Sequence, residues 1–171
     1  IKGNEILLKD DPYATKLNED GYSVVSCEDE FKWTENSQIL KHRRTLMSQP
    51  VSICRISFGD VIAEASKGRK KIENVLTEVV KSLVSQKYTH VSLLPVASYS
   101  KNKNDMYQTL FYYALDESIK ESDLLKTFVN ECHKNNINVL FDWSVSYFAK
   151  DSNGLEWFDG SNLYEHADKR L

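Results

Sequence analysis

Apolar side chains recur at Ile72, Val75, Leu76, Val79, Val80, Leu83 and Val84, the i, i+3, i+4, i+7 spacing that lines one face of an α-helix. The segment before it, Val51-Ser52-Ile53-Cys54-Arg55-Ile56-Ser57-Phe58-Gly59, carries β-branched and apolar residues at period two and reads as a strand closed by Gly59. The segment after it, His90-Val91-Ser92-Leu93-Leu94-Pro95-Val96, is short and apolar, with Pro95 marking the strand end. Strand, helix and strand at such short spacing fit a βαβ crossover, in which the two strands run parallel.

The plan repeats after a polar loop at 98–104. Leu124, Leu125, Phe128, Val129 and Cys132 share a helical face, and His133 with Lys134 place cations near the helix end, where the macrodipole favours them. Asn135 and Asn136 supply the turn, because Asn tolerates the left-handed conformation a helix terminus often needs. The chain then reverses into Ile137-Asn138-Val139-Leu140-Phe141. Near-continuous apolar strands joined by helices imply a parallel sheet covered on both faces, so the fold class is α/β. Three strands leave two open edges, so either further strands lie outside this chain or the protein self-associates.

Upstream of this region the pattern is weaker. Ile6-Leu7-Leu8 reads as a short strand stopped by a turn at Asp10-Asp11-Pro12-Tyr13. Residues 14–50 have few periodic apolar positions apart from Tyr22-Ser23-Val24-Val25 and Phe31-Lys32-Trp33, and read as a mostly irregular connector. The basic cluster Lys41-His42-Arg43-Arg44 reads as a solvated helix face, since nothing near it supports a polyanion site.

Composition narrows the function classes. With 171 residues, 41% hydrophobic and 27% charged, the chain can bury one sizeable core. A net charge of -3 gives no reason to expect nucleic acid or an anionic membrane as partner. No run reaches the roughly 18 apolar residues of a membrane span, and the amino terminus lacks a basic-then-apolar export pattern. The chain does not begin with Met, and it is expected to be cut from something longer. Cys27, Cys54 and Cys132 are odd in number and far apart, which suits reduced thiols of a cytoplasmic protein. His133 and His166 have no ligand-spaced partner, so no metal is expected. No Gly-x-Ser-x-Gly elbow, phosphate loop or dinucleotide glycine pattern occurs, so neither nucleophilic serine chemistry nor a cofactor is expected.

The candidate chemistry lies at the end of the third strand, where Asp142 is followed by an aromatic-rich polar stretch. Groups at the carboxyl ends of parallel strands are where barrels and open α/β sheets build their sites. Several stretches then match one known pattern: Tyr88-Thr89-His90-Val91-Ser92-Leu93-Leu94-Pro95-Val96, Met106-Tyr107-Gln108-Thr109-Leu110-Phe111-Tyr112-Tyr113-Ala114, Leu155-Glu156-Trp157-Phe158-Asp159-Gly160 and Leu163-Tyr164-Glu165-His166-Ala167-Asp168. They resemble the 1,4-α-glucan branching enzymes of the α-amylase superfamily. The resemblance implies a partial (β/α)8 TIM barrel, about its first three parallel strands with their helices, preceded by the end of a β-sandwich module. By it, residues 1–13 are the tail of an amino-terminal β-sandwich carbohydrate module, 14–50 a connector, and 51–171 the first part of the barrel.

A retaining glycosyl transfer needs two carboxylates about 5 Å apart and a platform for the sugar ring. The resemblance places the three catalytic carboxylates on later strands, so no catalytic residue is expected here. It assigns sugar contacts to Tyr107, Gln108, Asp142 and Tyr147, with an α-1,4-glucan such as glycogen or amylose as partner. Tyr107 matches a tyrosine that stacks on the sugar, but Asp105 and Met106 replace the pattern's neighbours, so a packed rim tyrosine is an equal reading. Asp142 matches the first acid of the family's Asp-x-x-x-x-His motif. Tyr147 stands where that motif has His, and a phenol does not restore the hydrogen bonding of an imidazole. Two classes follow: part of a longer branching enzyme, inactive alone, or a degenerate, non-catalytic glucan-binding or interaction protein.

Overall fold

In the computed structural model the apolar run at 51–59 divides, with strand β1 (Ile53–Ile56) at its centre and helix α1 (Phe58–Lys67) beginning two residues later. Gly59 therefore sits inside a helix rather than closing a strand. Ser57 makes the switch: it is extended, and its Oγ accepts from the Asp60 amide at 3.3 Å, satisfying one of the donors a helix start leaves open. Phe58, Ile62 and Ala65 bury the helix's apolar stripe. A Cβ on Gly59 would lie 2.6 Å from Ser118 Oγ, a close approach that accounts for a glycine in a helix's first turn.

The structure describes residues 6, 8–25, 30–34, 48–68, 70–100, 105–119, 121–145, 149–150, 154–156, 158–168 and 170. They belong to two compact units, one of Asp29–Val96 and Ser118–Asp142, the other of Ile1–Glu28, Ala97–Glu117 and Trp143–Leu171.

The first unit contains the expected α/β plan. After α1 come helix α2 (Ile72–Ser85) and strand β2 (His90–Leu93); helix α3 (Ser122–Lys134) and strand β5 (Asn138–Phe141) complete it. The sheet order is β1-β2-β5, both pairings parallel, with Arg55 beside Ser92 and Ser92 beside Leu140. Thr89 fastens the amino end of all three strands: its Oγ1 donates to Ser52 O at 3.0 Å and accepts from Ser52 N at 2.9 Å, while its carbonyl accepts from Asn138 N at 3.0 Å. The four residues of β2 are buried, as a central strand requires, and the sheet stays open, with β1 and β5 at its edges.

Helix α1 packs on α2, α2 on α3, and α3 on β5. Leu76, Val80 and Leu83 of α2 are buried, on the stripe the sequence predicts. Phe58 and Phe128 meet with ring centroids 5.3 Å apart, and Phe128, Val91 and Leu93 have no exposed surface. Removing such a ring would cost about 3–5 kcal/mol, as transfer and cavity terms add. Helix α3 ends as expected: the Asn135 side chain donates to Glu131 O at 2.9 Å, and Asn136 is left-handed with φ 58°. Within the stretch expected to be a connector, Thr34 is tied down, since Thr34 N donates to Asn130 Oδ1 at 3.0 Å and Asn130 Nδ2 to Thr34 Oγ1 at 3.2 Å. Residues 41–44, Cys27 and Leu7 lie outside the described residues.

The second unit holds what the periodicity did not predict. Strands β3 (Ala97–Tyr99) and β4 (Thr109–Leu115) form an antiparallel pair, so the expected polar loop at 98–104 begins as a strand. Ala14, Phe111 and Ala114 form its core, with Leu17 and Leu110 packed against them. The turn at Pro12–Tyr13 is present, with Tyr13 N donating to Asp11 Oδ1 at 2.9 Å and Ala14 N to Asp11 O at 3.0 Å. Of the strand expected before it, the described residues Ile6 and Leu8 are exposed and outside any strand.

The Cys132 thiol is fully covered, and burial first, with the Glu131 carboxylate second, pushes it up to about 12 from an ordinary 9.0. The fold holds this thiol protonated where the unfolded chain would ionise it. Stability linked to Cys132 is therefore complete below pH 9 and declines as the pH rises towards 12. Since the thiolate is the nucleophile, iodoacetamide at pH 8 should leave Cys132 unmodified in the folded chain and alkylate it after denaturation, as read by peptide mass spectrometry. Alkylation of the folded chain at the denatured rate would contradict this packing.

Candidate functional site

Asp142 is the residue after β5, and its amide donates to Leu93 O at 2.9 Å, continuing the ladder by one bond. In a strand successive side chains alternate faces, so Asp142 shares a face with Leu140 and, through the register, with Ser92 and Arg55. That row converges on the carboxylate. Arg55 Nη2 donates to Asp142 Oδ2 and Ser92 Oγ donates to Oδ1 at 3.3 Å. Three parallel strands thus each contribute one polar group to a cluster at the carboxyl end of the sheet.

Sequence reasoning placed Asp142 but missed Arg55 and Ser92. A signal was available, because Arg55 is the one charge in an otherwise apolar and hydroxylic strand. An arginine there calls for an acid within reach along the same face. The Arg55 side chain is 55% exposed and that of Asp142 26%, so solvent screening keeps the worth of this pair to about 0–1 kcal/mol. Its consequence is positional: both carboxylate oxygens have partners within the sheet, and the side chain is held in place.

Tyr107 and Gln108 stand in the other unit, in the turn that opens β4. Asp105 organises that turn, its Oδ1 accepting from Tyr107 N at 3.0 Å and its Oδ2 from Gln108 Nε2 at 3.4 Å, while its carbonyl accepts from Gln108 N at 3.0 Å. The Asp at this position, a departure from the expected pattern, therefore builds the turn through its side chain. Gln108 is buried and its carbonyl accepts from Ser100 N at 3.1 Å, while Tyr107 is half-buried. Tyr147 lies outside the described residues, as does Trp157.

The aromatic stretch after the third strand is locally braced. Tyr112 OH donates to Val145 O at 3.1 Å and its ring meets Trp143 edge-on at 6.1 Å; burial raises the phenol above its ordinary range. Phe158 and Tyr164 also pack edge-on at 6.1 Å. Hydrogen bonds from the Ser161 hydroxyl and amide hold the Asp159 carboxyl below its usual range, and the Arg170 guanidinium does the same for Asp168. His166 Nδ1 accepts from Asp168 N at 3.0 Å, a local turn contact. Among the described residues no group of three or more His, Cys, Asp or Glu could hold a metal ion, and no helix is long and apolar enough to cross a membrane.

No family model matches the sequence. Individual proteins do. The 1,4-alpha-glucan branching enzyme GlgB of Fusobacterium nucleatum is 31% identical over 169 residues, covering 98% of this chain and 28% of the enzyme. That of Trichormus variabilis is 33% identical, covering 86% of this chain and 22% of the enzyme, and GlgB 2 of Clostridium perfringens is 34% identical, covering 96% and 25%. The chain is a relative of the 1,4-alpha-glucan branching enzymes. It spans about a quarter of their length.

Among solved structures, a candidate alpha amylase from Salmonella typhimurium superposes with a TM-score of 0.64 at 17% identity, over 88% of this chain and 24% of that one. That likeness shows the fold: parallel strands and helices forming part of an α/β barrel, left open here. Replacing the arginine tests the screening argument. Arg55→Met is expected to lower the unfolding free energy by less than about 1 kcal/mol in urea titration. A loss of several kcal/mol would mean that Asp142 is desolvated and left unpaired.

Proposed function

We propose that this chain is part of a branching-enzyme-like protein of α-glucan metabolism, contributing to the platform that holds the glucan and not to bond cleavage. The observation that carries the reading is the sequence relationship over nearly the whole chain, at 31–34% identity, to proteins named as 1,4-alpha-glucan branching enzymes. Tyr107, Gln108, Asp142 and Tyr147 are the residues assigned to the sugar. Residues 1–13 would then be the tail of a β-sandwich carbohydrate module, 14–50 a connector and 51–171 the start of the barrel, in a cytoplasmic protein. The exposed edges β1 and β5 would take further strands of the barrel, or a second copy of the chain.

One observation favours the runner-up, a non-catalytic glucan-binding or interaction protein. The Asp142 carboxylate is engaged by Arg55 and Ser92, which suits a structural acid better than one free to orient a sugar. Both readings predict that the purified 171 residues neither branch amylose nor release reducing sugar, because a retaining transfer needs a second carboxylate about 5 Å from the first. The platform reading, and the glucan-binding form of the runner-up, also predict binding to maltoheptaose, weakened by Tyr107→Ala by about 1 kcal/mol, or about fivefold in Kd, if the ring stacks on the sugar. Calorimetric titration reads the binding and an iodine-stain assay reads the branching. Turnover by this chain alone would overturn the proposal, and an unchanged Kd in Tyr107→Ala would return that residue to a packing role.

A further inference from the structure

The unit containing β3 and β4 has a cleft of about 300 Å³, at the lower end of the range for small-molecule sites. One wall is the turn that follows Leu17. Leu17 bridges Ser23, Asn18 N donates to Tyr22 O at 2.9 Å, and Asn18 Oδ1 accepts from the amides of Asp20 at 3.1 Å and Tyr22 at 2.8 Å. Gly21 closes the turn at φ 83°, a conformation that costs a residue with a Cβ. The opposite wall is the β3–β4 pair, whose register shifts on both sides of Ser98. Leu110, Phe111 and Leu115 give the cleft an apolar side, Tyr99 adds an aromatic ring, and Glu19, Asp20, Asp116 and Glu117 bring four carboxylates.

Acidic residues alone would not make this a site; the two serines do. Ser98 and Ser100 line the cleft at 8% and 9% exposure, and among the described residues neither hydroxyl has a hydrogen-bond partner. A covered, unsatisfied hydroxyl carries a desolvation penalty that a ligand can relieve. The chemistry of that ligand follows from the lining. No Lys, Arg or His lines the cleft, so an anion is disfavoured. The carboxylates are not grouped as a metal cage, and acceptors distributed around a cleft suit a molecule carrying several separated donors. An ammonium or guanidinium would pair with the carboxylates but brings no acceptor of its own for the serine protons. A hydroxyl both donates and accepts.

We infer that this cleft is a second sugar-binding site, taking one or two pyranose units of an α-glucan with ring hydroxyls on Ser98, Ser100 and the carboxylates and the apolar ring face on the leucine side. The inference rests on the glucan reading above and adds a place that reading does not use. Titration calorimetry of the 171-residue chain with maltoheptaose, alongside the exposed-site double variant Glu19→Ala/Asp20→Ala, Ser100→Ala and Tyr107→Ala, tests it, with circular dichroism confirming that each variant folds. The expected result is binding that weakens about tenfold in the double variant, the scale of losing hydrogen bonds to charged acceptors, and that also weakens in Ser100→Ala. Binding by the unmodified chain that neither cleft variant alters would overturn the cleft while leaving the glucan reading intact. No binding by the unmodified chain would overturn both. Salt-sensitive binding of an oligolysine peptide, lost in the double variant and without any maltoheptaose binding at the cleft, would reassign it to basic partners.

Discussion

Strand β2 is the reference for the α/β unit. From Thr89 to Leu94 its backbone is bonded to β1 on one side and β5 on the other, and the in-register rows His90 with Ile53 and Asn138, and Ser92 with Arg55 and Leu140, follow from that pairing. Its side chains divide the sheet's two faces. Val91 and Leu93 are fully covered, while His90 and Ser92 carry polar groups on the other face. A slip of one residue would exchange those sets, placing Ser92 in an apolar core and Leu93 beside Asp142. Register is therefore what couples burial to the polar cluster: the packing that stabilises the sheet also positions Arg55, Ser92 and Asp142 on one face.

The parts of this arrangement legible in the sequence are those with a period. The α2 stripe through Leu76, Val80 and Leu83, the α3 stripe through Phe128 and Cys132, and the left-handed Asn136 all follow from local pattern and turn chemistry. The α1 helix was hidden because its first turn overlaps a period-two run. A strand reading through Phe58 and a helix reading from Phe58 both place that ring inside, and only the Ser57 cap separates them. The β3–β4 pair was hidden for a different reason. Its register shifts twice within three residues, which removes the alternation that marks a half-buried strand.

The polar cluster was half legible. Asp142 was found from its position after an apolar strand, a local feature, whereas its pairing with Arg55 spans 87 positions and depends on β2 standing between the two strands. Tyr107 and Gln108 were singled out through family likeness, and their turn depends on Asp105, one of the two residues at which that likeness fails. A departure from a familiar pattern was in this case a replacement with its own hydrogen bonds.

The pairing of Arg55 with Asp142 bears on what kind of chemistry the α/β unit can perform. A nucleophilic carboxylate needs a lone pair directed at the reacting carbon, and a general acid needs a proton to give. A carboxylate that accepts from a guanidinium on one oxygen and a serine on the other is oriented by them and keeps lone pairs on both oxygens for a further partner. Its position is fixed at the end of a strand whose neighbours present the same polar row. A side chain fixed in this way can frame a binding surface or close one end of a sheet.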